Sequence, residues 1–214
     1  ESELKFIIRN KDTLIIDNNF SNEIGIRQLT LFIPIERKED IIDKILKNSI
    51  KLPKFINSKI GSIHISKTVI KDFDGNIVEL VFLSDELENY DFNTSEFQLN
   101  VTDTKITGIF LNNILGFKYI KNEEGKGIFK IGKTLIKLNE VKDPSKKRVG
   151  LPGQIKGYSL VQFVVNDVID SRNEILKNGG KIHTEPYNIG DLAIIMFIES
   201  PDGILFEFGA ALVK

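Results

Sequence analysis

Few side chains in this chain are of a kind that does chemistry, and their types narrow the choice quickly. There is no cysteine and there are 2 histidines, His64 and His183, so disulfides, thiolate metal ligands and cysteine nucleophiles are excluded. His183 stands in a polar stretch with Thr184 and Glu185 and is expected at the surface. No H-E-x-x-H, G-x-S-x-G, G-x-G-x-x-G or P-loop pattern occurs, which removes the sequence signatures of zinc peptidases, nucleophile-elbow hydrolases and phosphate-cradling loops. What remains is carboxylates and amides placed at alternate positions along apolar strands. Side chains of a strand point to opposite faces in turn. If Phe97, Leu99 and Val101 face a covering helix, then Glu96, Gln98 and Asn100 share the other face. By the same rule Leu160, Gln162 and Val164 lie opposite Val161, Phe163 and Val165, and Gln28, Thr30 and Phe32 lie opposite Leu29, Leu31 and Ile33. Glu79 and Glu207 stand out of phase with Val78, Leu80, Phe206 and Phe208. Such a face can hydrogen-bond a polar or cationic small molecule. With water it can also hold a hard ion such as Mg²⁺ or Mn²⁺, or it can simply be a solvated sheet surface.

The elements that would position these residues repeat. Strand Leu160 to Val165 leads through Asp167, a helix N-cap type, into a helix ending at Ile175-Leu176-Lys177-Asn178 before Gly179-Gly180. A short strand at Lys181 to His183, a turn at Asn188 to Gly190, a strand Leu192 to Ile198 and a turn at Pro201-Asp202-Gly203 follow, before the last strand Ile204 to Phe208. The order is βαβββ. Earlier, strand Gln28 to Ile33 precedes a helix closing on the same Ile-Leu-Lys-Asn at 45–48, then a strand pair, Phe73-Asp74-Gly75 and a strand Asn76 to Val81. Between these, strand Phe97 to Val101 leads through Asp103 to a short helix at Phe110 to Phe117 and a hairpin, Gly127 to Ile131 with Thr134 to Leu138. Leu4 to Asp17 resembles that hairpin. Repeats of this spacing indicate stacked supersecondary units: four modules, the first without its opening strand and helix. The chain opens on Glu1, not Met, as a piece or processed form of a longer chain would. Ser84 to Thr94 is the expected domain boundary, giving domains 1–88 and 89–214, and Lys142 to Lys156 an internal linker.

Composition narrows the class further. The 29 basic and 30 acidic residues nearly cancel, which argues against nucleic-acid or membrane-surface binding. No apolar run nears the ~20 residues of a membrane span and no signal-peptide pattern opens the chain, so a cytoplasmic protein is expected. The charge clusters Glu36 to Asp40 and Asp143 to Arg148 read as ordinary loop or helix-end charge.

Three local patterns resemble the vicinal-oxygen-chelate superfamily, the glyoxalase, bleomycin-resistance and extradiol-dioxygenase group. They are an opening strand ending in V-x-D (Val101-Thr102-Asp103, Val165-Asn166-Asp167), a helix ending in Leu115-Gly116-Phe117, and Pro201-Asp202-Gly203 running to Glu207-Phe208. The resemblance implies an α+β fold in which paired βαβββ modules curl into half-open barrels around a small-molecule site, in two tandem domains, the first lacking its opening βα. It also implies four metal-ligand positions per barrel, filled by His, Glu or Gln in the enzymes. In the second domain these fall on Glu96, Lys137, Leu160 and Glu207; in the first they fall on a missing residue, Ile16, Gln28 and Glu79. Leu160 has no donor, and a protonated Lys137 repels a divalent ion. The resemblance thus implies a barrel without catalytic metal, in which Lys137 would bridge Glu96 and Glu207. If a divalent metal is bound, Glu96 and Glu207 are its ligands.

The function expected is small-molecule binding in a barrel cavity lined by Glu96, Gln98, Asn100, Lys137, Gln162 and Glu207. A divalent-metal lyase or dioxygenase, and a non-catalytic scaffold, are the alternatives. Whether the chain is an enzyme stays open, as does a second copy of the chain as partner.

Overall fold

The computed structural model describes residues 22–48, 54–60, 63–71, 76–84, 91–121, 127–152, 154–155 and 157–212. The expected hairpin at Leu4 to Asp17 with Ile16, the Phe73-Asp74-Gly75 turn, and the centre of the Ser84 to Thr94 stretch lie outside them.

Three βαβββ units follow one another among the described residues. The first comprises β1 (Glu23–Pro34), α1 (Lys38–Lys47), β2 (Ile56–Ile60), β3 (Ile63–Lys71) and β4 (Ile77–Leu83). The second comprises β5 (Ser95–Val101), α2 (Thr104–Ile109), β6 (Lys118–Lys121), β7 (Gly127–Ile131) and β8 (Thr134–Glu140). After a short strand β9 (Lys146–Arg148), the third comprises β10 (Leu160–Val164), α3 (Val168–Lys177), β11 (Ile182–Ile189), β12 (Ala193–Glu199) and β13 (Leu205–Ala211). In every unit the opening strand lies parallel to the closing strand, β1 to β4, β5 to β8 and β10 to β13. The intervening helix is the crossover that parallel pairing requires.

Local chemistry sets the strand-to-helix corners. Asp103 accepts from the backbone N–H of Lys105 at 2.7 Å and Ile106 at 3.0 Å. Asp167 does the same for Ile169 and Asp170, at 2.7 and 2.9 Å. Each cap satisfies donors that a helix start leaves unpaired. The helix of the second unit therefore begins at Thr104, earlier than the expected Phe110. The Phe-Leu-Asn-Asn-Ile stretch at 110–114 is a wider π turn that buries both Phe110 and Leu111.

The sheets are arranged differently from the expected domains. Nine described strands form one sheet in the order β2-β3-β4-β1-β5-β8-β7-β6, with β9 added beside β1; the third unit forms its own sheet, β10-β13-β12-β11. β1 and β5 are antiparallel neighbours from Gly25 opposite Asn100 to Leu31 opposite Ser95. The first and second units thus share one continuous sheet across the boundary drawn between residues 88 and 89. The second and third units meet through side chains instead. Phe97, Leu99, Phe110 and Phe117 pack with Phe163, Met196, Phe206 and Phe208 in one core. A much smaller cluster around Ile45, Leu80 and Phe82 lies under α1. Asp202, 3% exposed, ties the same two units with polar bonds: it accepts from Thr102 Oγ1 at 2.6 Å, from the Thr102 N–H at 3.2 Å and from Thr107 Oγ1 at 3.3 Å.

The expected linker contributes to the sheet as well. Lys146 to Arg148 runs parallel to the start of β1. Arg148 pairs with buried Glu23 at 2.7 Å, so this cluster is not merely loop charge. Gly25, at φ 137°, stands opposite Arg148, and a β-carbon there would run into the carbonyl oxygen of Arg148. No described helix is long and apolar enough to cross a membrane.

Candidate functional site

Opening and closing strands place a matched pair of residues at one register position in each unit: Thr30 opposite Glu79, Gln98 opposite Lys137, and Gln162 opposite Glu207. The alternation expected along β5 and β10 holds, with Phe97 and Val161 on the buried apolar side; on β1 Leu29 is buried, but Leu31, expected on the same buried face, is 37% exposed. The matched polar pairs fall in two separate places.

The first is the polar face of the large sheet. Thr30, 2% exposed, sits between Glu79 on β4 and Glu96 on β5. Its hydroxyl donates to Glu79 Oε2 at 3.2 Å, and Gln28 Nε2 donates to the same oxygen at 3.1 Å. Lys67 Nζ lies 3.9 Å from Glu79 Oε1. Glu96, 8% exposed, is held above the usual carboxylate range by burial; the positive charge of Lys137 opposes that shift, the negative charge of Glu79 adds to it, and Lys67 opposes it further. Gln98 lies on the same face, opposite Gln28 and Lys137. Asn100 is committed elsewhere: its Nδ2 donates to the Glu23 carbonyl at 2.9 Å, and its Oδ1 accepts from Asn139 Nδ2 at 2.9 Å.

The second place is a cavity of about 460 Å³ against the sheet of the third unit. Phe97, Leu151, Leu160, Ile195 and Phe197 make most of its wall apolar. Gln162 and Glu207, 7% and 4% exposed, are its buried polar residues. Gln162 Nε2 donates to Glu207 Oε1 at 2.7 Å. The other end of that amide, Gln162 Oε1, is buried without a hydrogen-bond partner. Tyr187 lines the cavity on β11. Burial holds its phenol above the usual tyrosine range, and the charge of Glu207 raises it further.

The candidate residues are therefore divided. Gln162 and Glu207 meet at the cavity, while Glu96, Gln98 and Lys137 share the face of the large sheet. Lys137 acts on Glu96 through its charge. The described ion pairs include none between it and Glu207, so the bridge expected between the two carboxylates is not formed. His64 is exposed on β3, and His183 is exposed on β11 with Nδ1 2.9 Å from Thr184 Oγ1. Among the described residues no group of three or more His, Asp or Glu is arranged to hold a metal ion. The sequence reading missed Tyr187, Ile195 and Phe197. Their signal lies in register: Phe197 is opposite Glu207, and Tyr187 is opposite Ile195.

A sequence model of the Glyoxalase/Bleomycin resistance protein/Dioxygenase superfamily matches residues 94–208, just over half of the chain. Among solved structures, glyoxalase I from Zea mays is similar at a TM-score of 0.61 and 19% identity, over 89% of this chain and 68% of that one. A putative dioxygenase from Bacillus subtilis subsp. subtilis str. 168 is similar at a TM-score of 0.59 and 13% identity, over 87% of this chain and 62% of that one. At these identities the likeness concerns the fold. No curated protein matches the chain.

Proposed function

The chain belongs to the Glyoxalase/Bleomycin resistance protein/Dioxygenase superfamily, and we propose that within it this protein binds a small organic molecule in the cavity above Gln162 and Glu207, without a catalytic metal. The observation that carries the reading is the cavity itself. Its volume of about 460 Å³ falls in the range of small-molecule sites, and an apolar wall with few convergent polar groups is their usual composition.

The metal that the superfamily resemblance implies does not fit the residues present. In the cavity Leu160 offers no donor beside Glu207, and Glu207 Oε1 already accepts from Gln162. On the large sheet Glu79 and Glu96 are attended by Lys67 and Lys137. The positive charge that a divalent ion would bring is supplied there by ammonium groups, and a further cation would be repelled. Binding is then the work of the chain's own groups: the apolar wall displaces water from the ligand, and the amide and carboxylate orient it.

Elemental analysis of protein purified without chelator tests the metal half of this reading. Sub-stoichiometric divalent metal and a melting temperature unmoved by Mn²⁺ are expected. A stoichiometric transition metal whose retention depends on Glu207 or Glu96 would overturn it.

A further inference from the structure

We propose that β10 is an interaction edge whose occupant is a second copy of this chain. The two β10 strands pair antiparallel about a two-fold axis and join the two four-stranded sheets into one continuous sheet.

The molecule already contains a joint of this kind. In the large sheet the first two units meet through their opening strands, so the order runs β2-β3-β4-β1 and then β5-β8-β7-β6. The third unit has the same internal order, β11-β12-β13-β10, and its opening strand ends the sheet. β10 pairs with β13 on one side and with no described strand on the other. A second copy turned about a two-fold axis supplies β10-β13-β12-β11 and reproduces the order of the large sheet. Register carries over as well. In the existing joint Leu29 stands opposite Phe97, flanked by Gln28 opposite Gln98 and Thr30 opposite Glu96. Leu29 and Phe97 each come just before the matched position of their unit, Thr30 and Gln98. The counterpart before Gln162 is Val161. Val161 therefore lies nearest the axis, and Leu160 of one copy stands opposite Gln162 of the other. Such an interface uses the same strand on both copies, as a two-fold dimer requires.

The chemistry of the strand agrees. Edges that stay in water usually carry charge, proline or bulges, which block pairing with another chain. The other described edges of this protein have them. β2 carries Lys59, β6 carries Lys118 and Lys121, and β9 is Lys-Lys-Arg. β11, at the far side of the same sheet as β10, carries Glu185 and Pro186 and shifts register twice against β12. β10 reads Leu-Val-Gln-Phe-Val, with no charge and no proline. Its one polar side chain, Gln162, is turned to Glu207 of its own sheet, and Val164 is left 44% exposed. Two such edges meet without like-charge repulsion, so the edge complements itself in register and in charge. Leu160 and Gln162 also line the cavity, and the joint sets the second copy beside it.

Sedimentation velocity of the full chain over a concentration series, paired with amide hydrogen exchange, tests the proposal. A reversible monomer–dimer equilibrium is expected. Exchange across residues 160–164 should slow as the dimer forms, while the amides of β11 exchange at one rate throughout. Val164→Lys, at an exposed position, should raise the dimer dissociation constant at least about tenfold, as charge on a strand edge opposes pairing. The exchange measurement on the unaltered chain decides the matter if that variant does not fold. A monomer at every concentration would overturn the proposal, whether β10 exchanges fast or is protected within the single chain. A dimer whose β10 amides ignore concentration has its contact elsewhere and overturns it too. So does a dimer that Val164→Lys leaves within about twofold. None of these outcomes bears on small-molecule binding, which ligand titration reads separately.

Discussion

Glu79 and Glu207 occupy the same register position on closing strands of equivalent units, yet the molecule treats them differently. Glu79 keeps 18% of its side chain in solvent, accepts from Gln28 and Thr30 at the same oxygen, and has Lys67 nearby. Glu207 is 4% exposed, accepts from Gln162, and borders a cavity walled by aliphatic and aromatic side chains. The local βαβββ geometry cannot cause this difference, because it is common to both. The cause is what each sheet face meets. The large sheet joins two units edge to edge and presents a polar face that carries its own counter-ions. The smaller sheet packs against the second unit through a shared aromatic core and leaves a walled space beside its polar pair. A carboxylate at one repeated position thus becomes part of a cluster with lysines in one setting and the buried floor of a cavity in the other.

The largest effect should come from breaking the joint that creates the second setting. Asp202→Ala removes the acceptor of three bonds between the second and third units and strands the buried Thr107 hydroxyl, so a loss of about 3 kcal/mol is expected in urea unfolding. Next, Gln162→Leu takes the donor from a buried carboxylate and should cost about 2 kcal/mol. The matched change Gln28→Leu should cost under ~1 kcal/mol, because Thr30 and water still serve Glu79. Equal costs for the two would mean that the two settings do not differ energetically.

A third expectation concerns pH. Burial raises the Glu96 pKa in the folded protein, so between the ordinary glutamate value and that raised value the native state binds more protons than the unfolded chain. Stability must then fall as pH rises through that window. Glu96→Gln should flatten this slope and raise the melting temperature at neutral pH, with the gain fading in acid. An unchanged slope in melting experiments across that window would refute it. The smallest effect belongs to Lys67→Met. Lys67 is 44% exposed and 3.9 Å from Glu79, and its loss should move stability by no more than ~0.5 kcal/mol.

Much of this was legible in the residues. Alternation along Phe97 to Val101 and Leu160 to Val165 gave the correct faces, and Asp167 gave the start of α3, because both signals are local; the start of α2 behind Asp103 was missed, because the aromatic run from Phe110 placed that helix too late. The partnership of units was not legible. Repeated sequence says which segments are alike, not which edges meet. It was therefore natural to bring Glu96 and Glu207 together, whereas β5 is hydrogen-bonded to β1 and the unit of β10 has its own sheet. The role of Lys146 to Arg148 was hidden for a similar reason. Its strand lies beside β1 where Gly25 permits close approach and Glu23 pairs with Arg148, features that no local pattern announces. Tyr187 and Phe197 needed cross-strand register, which a single strand's pattern does not contain.

Calorimetric titration of 2-naphthylmethanol into Glu79→Gln and Leu160→Trp, side by side with the unaltered chain, tests the central contrast most directly. The dissociation constant should stay within about twofold for Glu79→Gln, as for a distant independent site. It should rise at least about tenfold for Leu160→Trp, whose added ring would fill the cavity that Leu160 lines. Weakened binding in Glu79→Gln with none in Leu160→Trp would place the ligand on the large sheet and contradict the account.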